Sequence, residues 1–348
     1  MTPHRSPGAF VDIHCHGGAG VEINGETDPT PALEPHARHG TGALVASLVS
    51  APIDRLEAQL SALAAYRRAR PDTILAGVHL EGPFLAASHR GAHDPDHLVS
   101  PSADLVDRLL AAGDGLLRQV TLAPELPGAL QAIRDLTAAG VRAAVGHTGA
   151  DYAQTRDAFE AGATLLTHAF NAMPGLHHRA PGPVAAALDT PEVTLEVIAD
   201  GVHVHAPLLR LLFTAAPGRI AVVTDALSPT GCTGGTHRLG ERSLSLQDGR
   251  AVLSGTAVLA GSTLTMDRAA AHLESIGISA AAIRHATTTT PARALGLRLP
   301  VGAGTVMADP QGQQDEGGDR GSTQHRDDRG AHAGLGTHCG DRAADGRQ

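Results

Sequence analysis

Six side chains able to hold a cation or carry a proton sit at the ends of five apolar runs. His14 and His16 follow Phe10–Ile13, Glu81 follows Ile74–Leu80, and His147 follows Arg142–Gly146. His168 follows Thr164–Thr167, and Asp225 follows Ile220–Thr224. Side chains alternate faces along a strand, so His14 and His16 share a face while Cys15 points away. Two imidazoles side by side can share a divalent cation. Further histidines and carboxylates complete the donor set of a hydrolytic metal site that leaves positions for water and substrate. Taken singly, each residue reads as well as a hydrogen-bonded core or surface group, and a chance H-x-H is expected among 21 histidines. Five placements on strand ends are a much rarer coincidence.

The elements that must position them follow a βα rhythm. Strand-like runs are expected at Phe10–Ile13, Ala43–Leu48, Ile74–Leu80, Gln119–Leu122, Arg142–Gly146, Thr164–Thr167, Thr194–Ile198 and Ile220–Thr224. Helical spacing marks Ile53–Ala69, Ala129–Ala139, Tyr152–Ala161 and Pro207–Ala215, with Asp151 as an N-cap and Gly140 and Gly162 as stops. Eight strands with intervening helices point to an α/β fold, a TIM (β/α)8 barrel with its site at the strands' C-terminal ends. An open doubly wound sheet keeps the same periodicity. Ser243–Leu246 and Ala251–Leu253 flank an Asp-Gly turn, giving a hairpin insertion at about 240–254. Helices are expected again at Ser262–Ile276, Ser279–Ala286 and Pro291–Leu295. One barrel domain therefore covers residues 1–308, and residues 309–348 form a polar tail too poor in apolar residues to fold.

Composition excludes several chemistries. All 27 basic residues are arginine, so no lysine can form a Schiff base, serve a P-loop or carry a carbamate between two metals. A net charge of −9 without a basic run argues against nucleic acid or an anionic membrane surface. No apolar stretch approaches the roughly 20 residues of a membrane span, and the N-terminus lacks a signal-peptide core, so a cytoplasmic location is expected. Three distant cysteines do not make a disulfide framework, and Cys15 reads as a small buried filler.

The motif order is specific. D-x-H-x-H-G from Asp12, H-L-E-G-P-F from His79, G-H-T from Gly146, T-H-x-F-N-A-M from Thr167, A-D-G-x-H from Ala199 and T-D-A from Thr224 closely resemble the N-acetylglucosamine-6-phosphate deacetylases of the amidohydrolase superfamily. The resemblance spans about residues 7–308. It implies metal-dependent hydrolysis of the acetamide of N-acetylglucosamine 6-phosphate to glucosamine 6-phosphate and acetate. It also implies one or two divalent cations per subunit: zinc, with iron, manganese or cobalt as alternatives. Glu81, His147 and His168 are similar to the main metal ligands, and His14 and His16 to the pair that holds a second metal with Glu81 as bridge. Asp225 resembles the catalytic acid–base and His93 the histidine that holds the acetamide carbonyl. Asn171, the Ala172 backbone and Arg179 resemble phosphate contacts, Arg179 reaching into the partner of a homodimer. His203 resembles a sugar-hydroxyl contact, and Ala260-Gly261-Ser262 a loop closing over the substrate. Relatives usually carry a small β-sandwich domain. With the first motif at Asp12 it is expected to be largely missing here, the start truncated or misassigned and the tail a shifted reading frame.

The chemistry is consistent. An amide is a poor electrophile and water a poor nucleophile, and a divalent cation lowers the pKa of bound water to about 7. Protonated His93 would stabilise the developing oxyanion. Asp225 would take the water's proton and pass it to the departing amine. Arg179 offers phosphate a planar fork of paired hydrogen bonds. His36, His39, His89, His97, His177 and His178 are expected as loop residues, and Phe84 and Phe170 as pocket walls. Two other readings stay open: an amidohydrolase acting on a different N-acyl or amine substrate, and a truncated inactive homologue.

Overall fold

The computed structural model describes residues 10–298 except Gly235 and Asp248. The expected polar tail at 309–348 lies outside the described residues. In chain order the strands are β1 (Phe10–Cys15), β2 (Gly17–Gly18), β3 (Val21–Glu22), β4 (Thr41–Val49), β5 (Leu75–Glu81), β6 (Leu117–Leu122) and β7 (Arg142–Val145). Then follow β8 (Leu165–Leu166), β9 (Thr194–Ile198), β10 (Ile220–Val223), β11 (His237–Leu239), β12 (Arg242–Gln247) and β13 (Arg250–Leu253). Eight of them form one parallel sheet in the order β1-β4-β5-β6-β7-β8-β9-β10. Every expected barrel strand is present, shifted by no more than two or three residues at an end.

The sheet closes on itself. Asp225 N donates to His14 O at 2.8 Å, and His16 N and Gly17 N donate to Ala226 O at 2.8 and 2.9 Å. Just inside that seam, the Asp12 carboxylate accepts Thr224 N at 3.2 Å and Thr224 Oγ1 at 2.6 Å. These contacts distinguish a barrel from the open sheet that periodicity left possible.

Helices cover the outside, each with an apolar face toward the strands. Ile53–Ala69 buries Leu56, Leu60 and Leu63 at spacings of four and three, the stripe a core-facing helix needs. Tyr152–Glu160 begins at a capping box in which Asp151 and Gln154 satisfy each other's backbone N–H groups. Beyond the barrel, β11, β12 and β13 form an antiparallel sheet rather than a simple hairpin. Its apolar face, Leu239, Leu244, Ala251 and Leu253, packs with Ala92, Leu227 and Ala260 over the barrel mouth. The helix expected from Ser262 starts only at Met266, because Ser262 is spent holding Thr224 O and Leu264 N.

Candidate active site

Four imidazole Nε2 atoms and one carboxylate converge at the C-terminal end of the barrel. His14 Nε2 and His16 Nε2 are 3.2 Å apart, and His147 Nε2 and His168 Nε2 3.0 Å apart. Glu81 lies between the pairs, with Oε1 3.0 Å from His147 Nε2, 3.1 Å from His168 Nε2 and 3.4 Å from His14 Nε2. Its Oε2 is 3.2 Å from His16 Nε2. All five side chains are buried.

Three of the four rings are held from behind, while His168 Nδ1 is buried without a hydrogen-bond partner among the described residues. His14 Nδ1 donates to Glu196 Oε2 at 3.1 Å, His16 Nδ1 to Ser47 O at 2.9 Å, and His147 Nδ1 to His89 O at 2.9 Å. A neutral ring that donates from Nδ1 presents a bare lone pair at Nε2, the usual arrangement behind a metal-bound histidine. Opposed lone pairs 3 Å apart repel unless a cation or a proton sits between them. This donor set of imidazoles and a carboxylate fits one or two divalent cations.

Electrostatics point the same way. Burial pushes His147 down to about 4 against the pull of Glu81, so its lone pair stays available at neutral pH. Burial alone would lower His16 too, but hydrogen bonds to Asp225 and Glu81 push it up to about 9. The His14 and His16 imidazoles hold Glu81 well below the usual carboxylate range despite its burial. Without a metal, protons on the histidines must supply the positive charge.

Asp225 closes the site, its Oδ1 3.2 Å from His16 Nε2 and 3.5 Å from His14 Nε2. Burial raises its pKa but the two histidines outweigh it, so it is a carboxylate able to accept a proton. His93 Nε2 lies 3.2 Å from Glu81 Oε2. Its Nδ1 accepts Ser50 N–H at 3.3 Å, so the ring proton sits on Nε2. A neutral ring can thus offer the hydrogen bond for which the sequence suggested a protonated His93.

A cavity of about 360 Å³ opens over this cluster. It is bordered by His16, Glu81, His93, His147, His168 and Asp225, and also by Asn171, Ala172, His203, Ala260 and Gly261. The volume suits a small ligand. His203 Nδ1 donates to Asp200 Oδ2 at 2.7 Å. His14 sits behind the wall, fully buried. Ser262 borders a smaller cavity next door, its hydroxyl donating to Thr224 O at 2.5 Å. Arg179 is exposed on a loop and does not border the main cavity of its own chain.

Some expectations need correction. His36 is not a loop residue: it lies in the helix Thr30–Arg38, buried, with Nε2 2.9 Å from Gly17 O and 3.3 Å from Cys15 Sγ. Phe84 belongs to the main core rather than the pocket wall. Cys15 is the expected buried filler. Sequence reasoning missed Glu196, a carboxylate in the otherwise apolar-and-Thr strand Thr194–Ile198, although a charge there was a visible signal. It also missed Glu125, which accepts Thr148 Oγ1 at 2.5 Å and Gly149 N at 2.6 Å and so braces the turn carrying His147. The cavity wall of Leu239, Val258 and Leu259 and the part of His89 came from folding alone.

The amidohydrolase family profile matches residues 7–306. The chain belongs to the amidohydrolase family. Among amidohydrolases it is 40% identical over 293 residues to an N-acetylgalactosamine-6-phosphate deacetylase of Escherichia coli O157:H7, covering 83% of this chain and 78% of that one. It is 34% identical to the N-acetylglucosamine-6-phosphate deacetylase of Vibrio furnissii, over 84% of this chain and 74% of that one. The solved N-acetyl-D-glucosamine-6-phosphate deacetylase of Mycobacterium smegmatis superposes with a TM-score of 0.80 at 40% identity, covering 86% of this chain and 83% of that one. The resemblance and the barrel expected of this amidohydrolase from its motifs are both borne out. No helix among its described residues is long and apolar enough to cross a membrane.

Proposed function

We propose that this amidohydrolase removes the acetyl group from N-acetylglucosamine 6-phosphate, giving acetate and glucosamine 6-phosphate. The observation that carries it is Glu81 standing between the His14/His16 and His147/His168 pairs, beside Asp225 and under an open cavity. Glu81, His14, His16, His147 and His168 would hold a divalent cation, which would supply Lewis acidity to the acetamide carbonyl and to water. Asp225 takes the proton from water and returns it to the leaving nitrogen, which must depart as an amine. His93 donates its Nε2–H to the carbonyl oxygen as charge develops there. His203 holds a sugar hydroxyl, and Asn171 and the Ala172 backbone face the phosphate. Arg179 completes the phosphate site of a second copy of the chain in a homodimer, in line with its distance from its own cavity. The loop Ala260-Gly261-Ser262 covers the sugar. Zinc is the cation proposed, with iron, manganese or cobalt compatible with the same donors, and the enzyme is placed in the cytoplasm.

The Escherichia coli relative, named for the galactosamine epimer, gives a specific second reading: N-acetylgalactosamine 6-phosphate as substrate. Acetate release from metal-reconstituted protein, run with both epimers in phosphorylated and free form, separates these readings. Release from neither phosphorylated sugar rejects the proposal. Arg179→Ala should erase the preference for phosphorylated over free sugar, and a preference left intact removes Arg179 from the phosphate site.

A further inference from the structure

Glu196 is completely buried, on a strand that faces the barrel interior, and 182 positions from the histidine it touches. Its Oε1 accepts Gln119 Nε2 at 2.7 Å. Its Oε2 lies 3.1 Å from His14 Nδ1 and 3.4 Å from the backbone N of His168. The other anchored rings, His16 and His147, lean on backbone carbonyls, which no side-chain substitution removes. His14 alone leans on a carboxylate.

We propose that Glu196 is a positioning residue for the His14/His16 half of the metal site: by accepting the Nδ1 proton of His14 it fixes the tautomer that turns a bare Nε2 toward the cation, and so sets the cation affinity of that half. The inference rests on reading His14 and His16 as metal ligands. A carboxylate behind a ligating imidazole orients the ring and strengthens it as a donor, and losing such a partner costs 10–100-fold in metal affinity as an order of magnitude (~10–100). The same oxygen reaches the His168 N–H, so one buried group ties the strand ends of both metal halves to the barrel floor.

Cobalt(II) titration of metal-stripped protein tests this, read as bound equivalents and as the visible absorption of each added cation. Wild-type protein should take up two equivalents. Glu196→Gln, which keeps the shape and loses the charge, should weaken uptake of the His14/His16 cation about 10-fold, and Glu196→Met, which loses the acceptor, about 100-fold. In a His14→Ala background Glu196→Gln should change nothing further, because the ring it acts through is gone. Wild-type affinity in the Gln variant overturns the proposal, and that variant decides alone if the Met variant fails to fold. An equal further loss in the His14→Ala background overturns it as well, since the effect would then be general. Wild-type uptake of a single equivalent that His14→Ala leaves untouched also overturns it while sparing a one-cation deacetylase. Normal cobalt behaviour without acetate release instead rejects the proposed activity and leaves Glu196 in its role.

Discussion

Glu81 Oε1 and His168 Nε2 lie 3.1 Å apart although 87 positions separate them in the chain. Glu81 closes one barrel strand and His168 follows another three places round the sheet, and a parallel barrel gathers all such ends on one rim. The chemistry proposed for the chain depends on that gathering.

Asp225→Asn should keep its metal and lose turnover by about 10²–10⁴-fold, because an amide cannot carry the proton. Metal analysis and acetate release on the same preparation check this. Turnover near wild type would remove Asp225 from the reaction.

The Asp200–His203 pair should shape the alkaline limb of sugar binding. Burial alone lowers the His203 pKa, but Asp200 more than compensates and raises it, while His203 holds Asp200 below the ordinary carboxylate range. The stabilisation from His203 is therefore complete below its ordinary value of 6.5 and is lost as pH rises through the raised value. The share from Asp200 is present above 3.8 and is lost as pH falls through the depressed value. KM should climb on the alkaline side, and Asp200→Asn should move that climb to lower pH. An unmoved limb in the variant contradicts the pairing.

Protons and cations should compete at His16. Its pKa of about 9 in the absence of metal means that cation uptake between pH 7 and 8 expels a proton. Calorimetric titration in buffers of different protonation enthalpy counts it, and a count of zero is the failing outcome. The stabilisation from protonated His16 is complete below 6.5 and lost as pH rises to about 9. Chelated protein should thus lose melting temperature across that window, and the metal-loaded protein should not.

Gly261→Ala should lower turnover more than it lowers stability. Gly261 has φ +107, and an added Cβ would meet the Asp225 carbonyl oxygen at 2.8 Å, so the strained loop must push on the backbone of Asp225. Kinetics and thermal melting on one preparation decide between a displaced catalytic group and a merely unfolded loop. Full activity would mean that the loop moves without Asp225.

Asp12→Ala should destabilise the barrel by about 1–3 kcal/mol for each donor it orphans. Thr224 N and Thr224 Oγ1 both end on the Asp12 carboxylate across the closing seam. Chemical denaturation measures the loss, and a variant as stable as wild type would show that the backbone bridges close the seam unaided.

The eight strands, the N-cap at Asp151 and the motifs around His14, Glu81, His147, His168 and Asp225 were legible in the sequence. Period-two and period-3.6 patterns and cap residues are local properties of neighbouring residues. Barrel closure was not legible, because it depends on Asp225 N meeting His14 O across the whole chain. Nor were the carboxylate of Glu196 behind His14, the burial of His36 against Cys15 or the third strand His237–Leu239. The sequence alone determined which groups could hold a cation and on which elements they ride. Only the tertiary structure decided which lone pairs face each other and what stands behind them, because hydrogen bonds between distant strands are set by packing and leave no periodic trace.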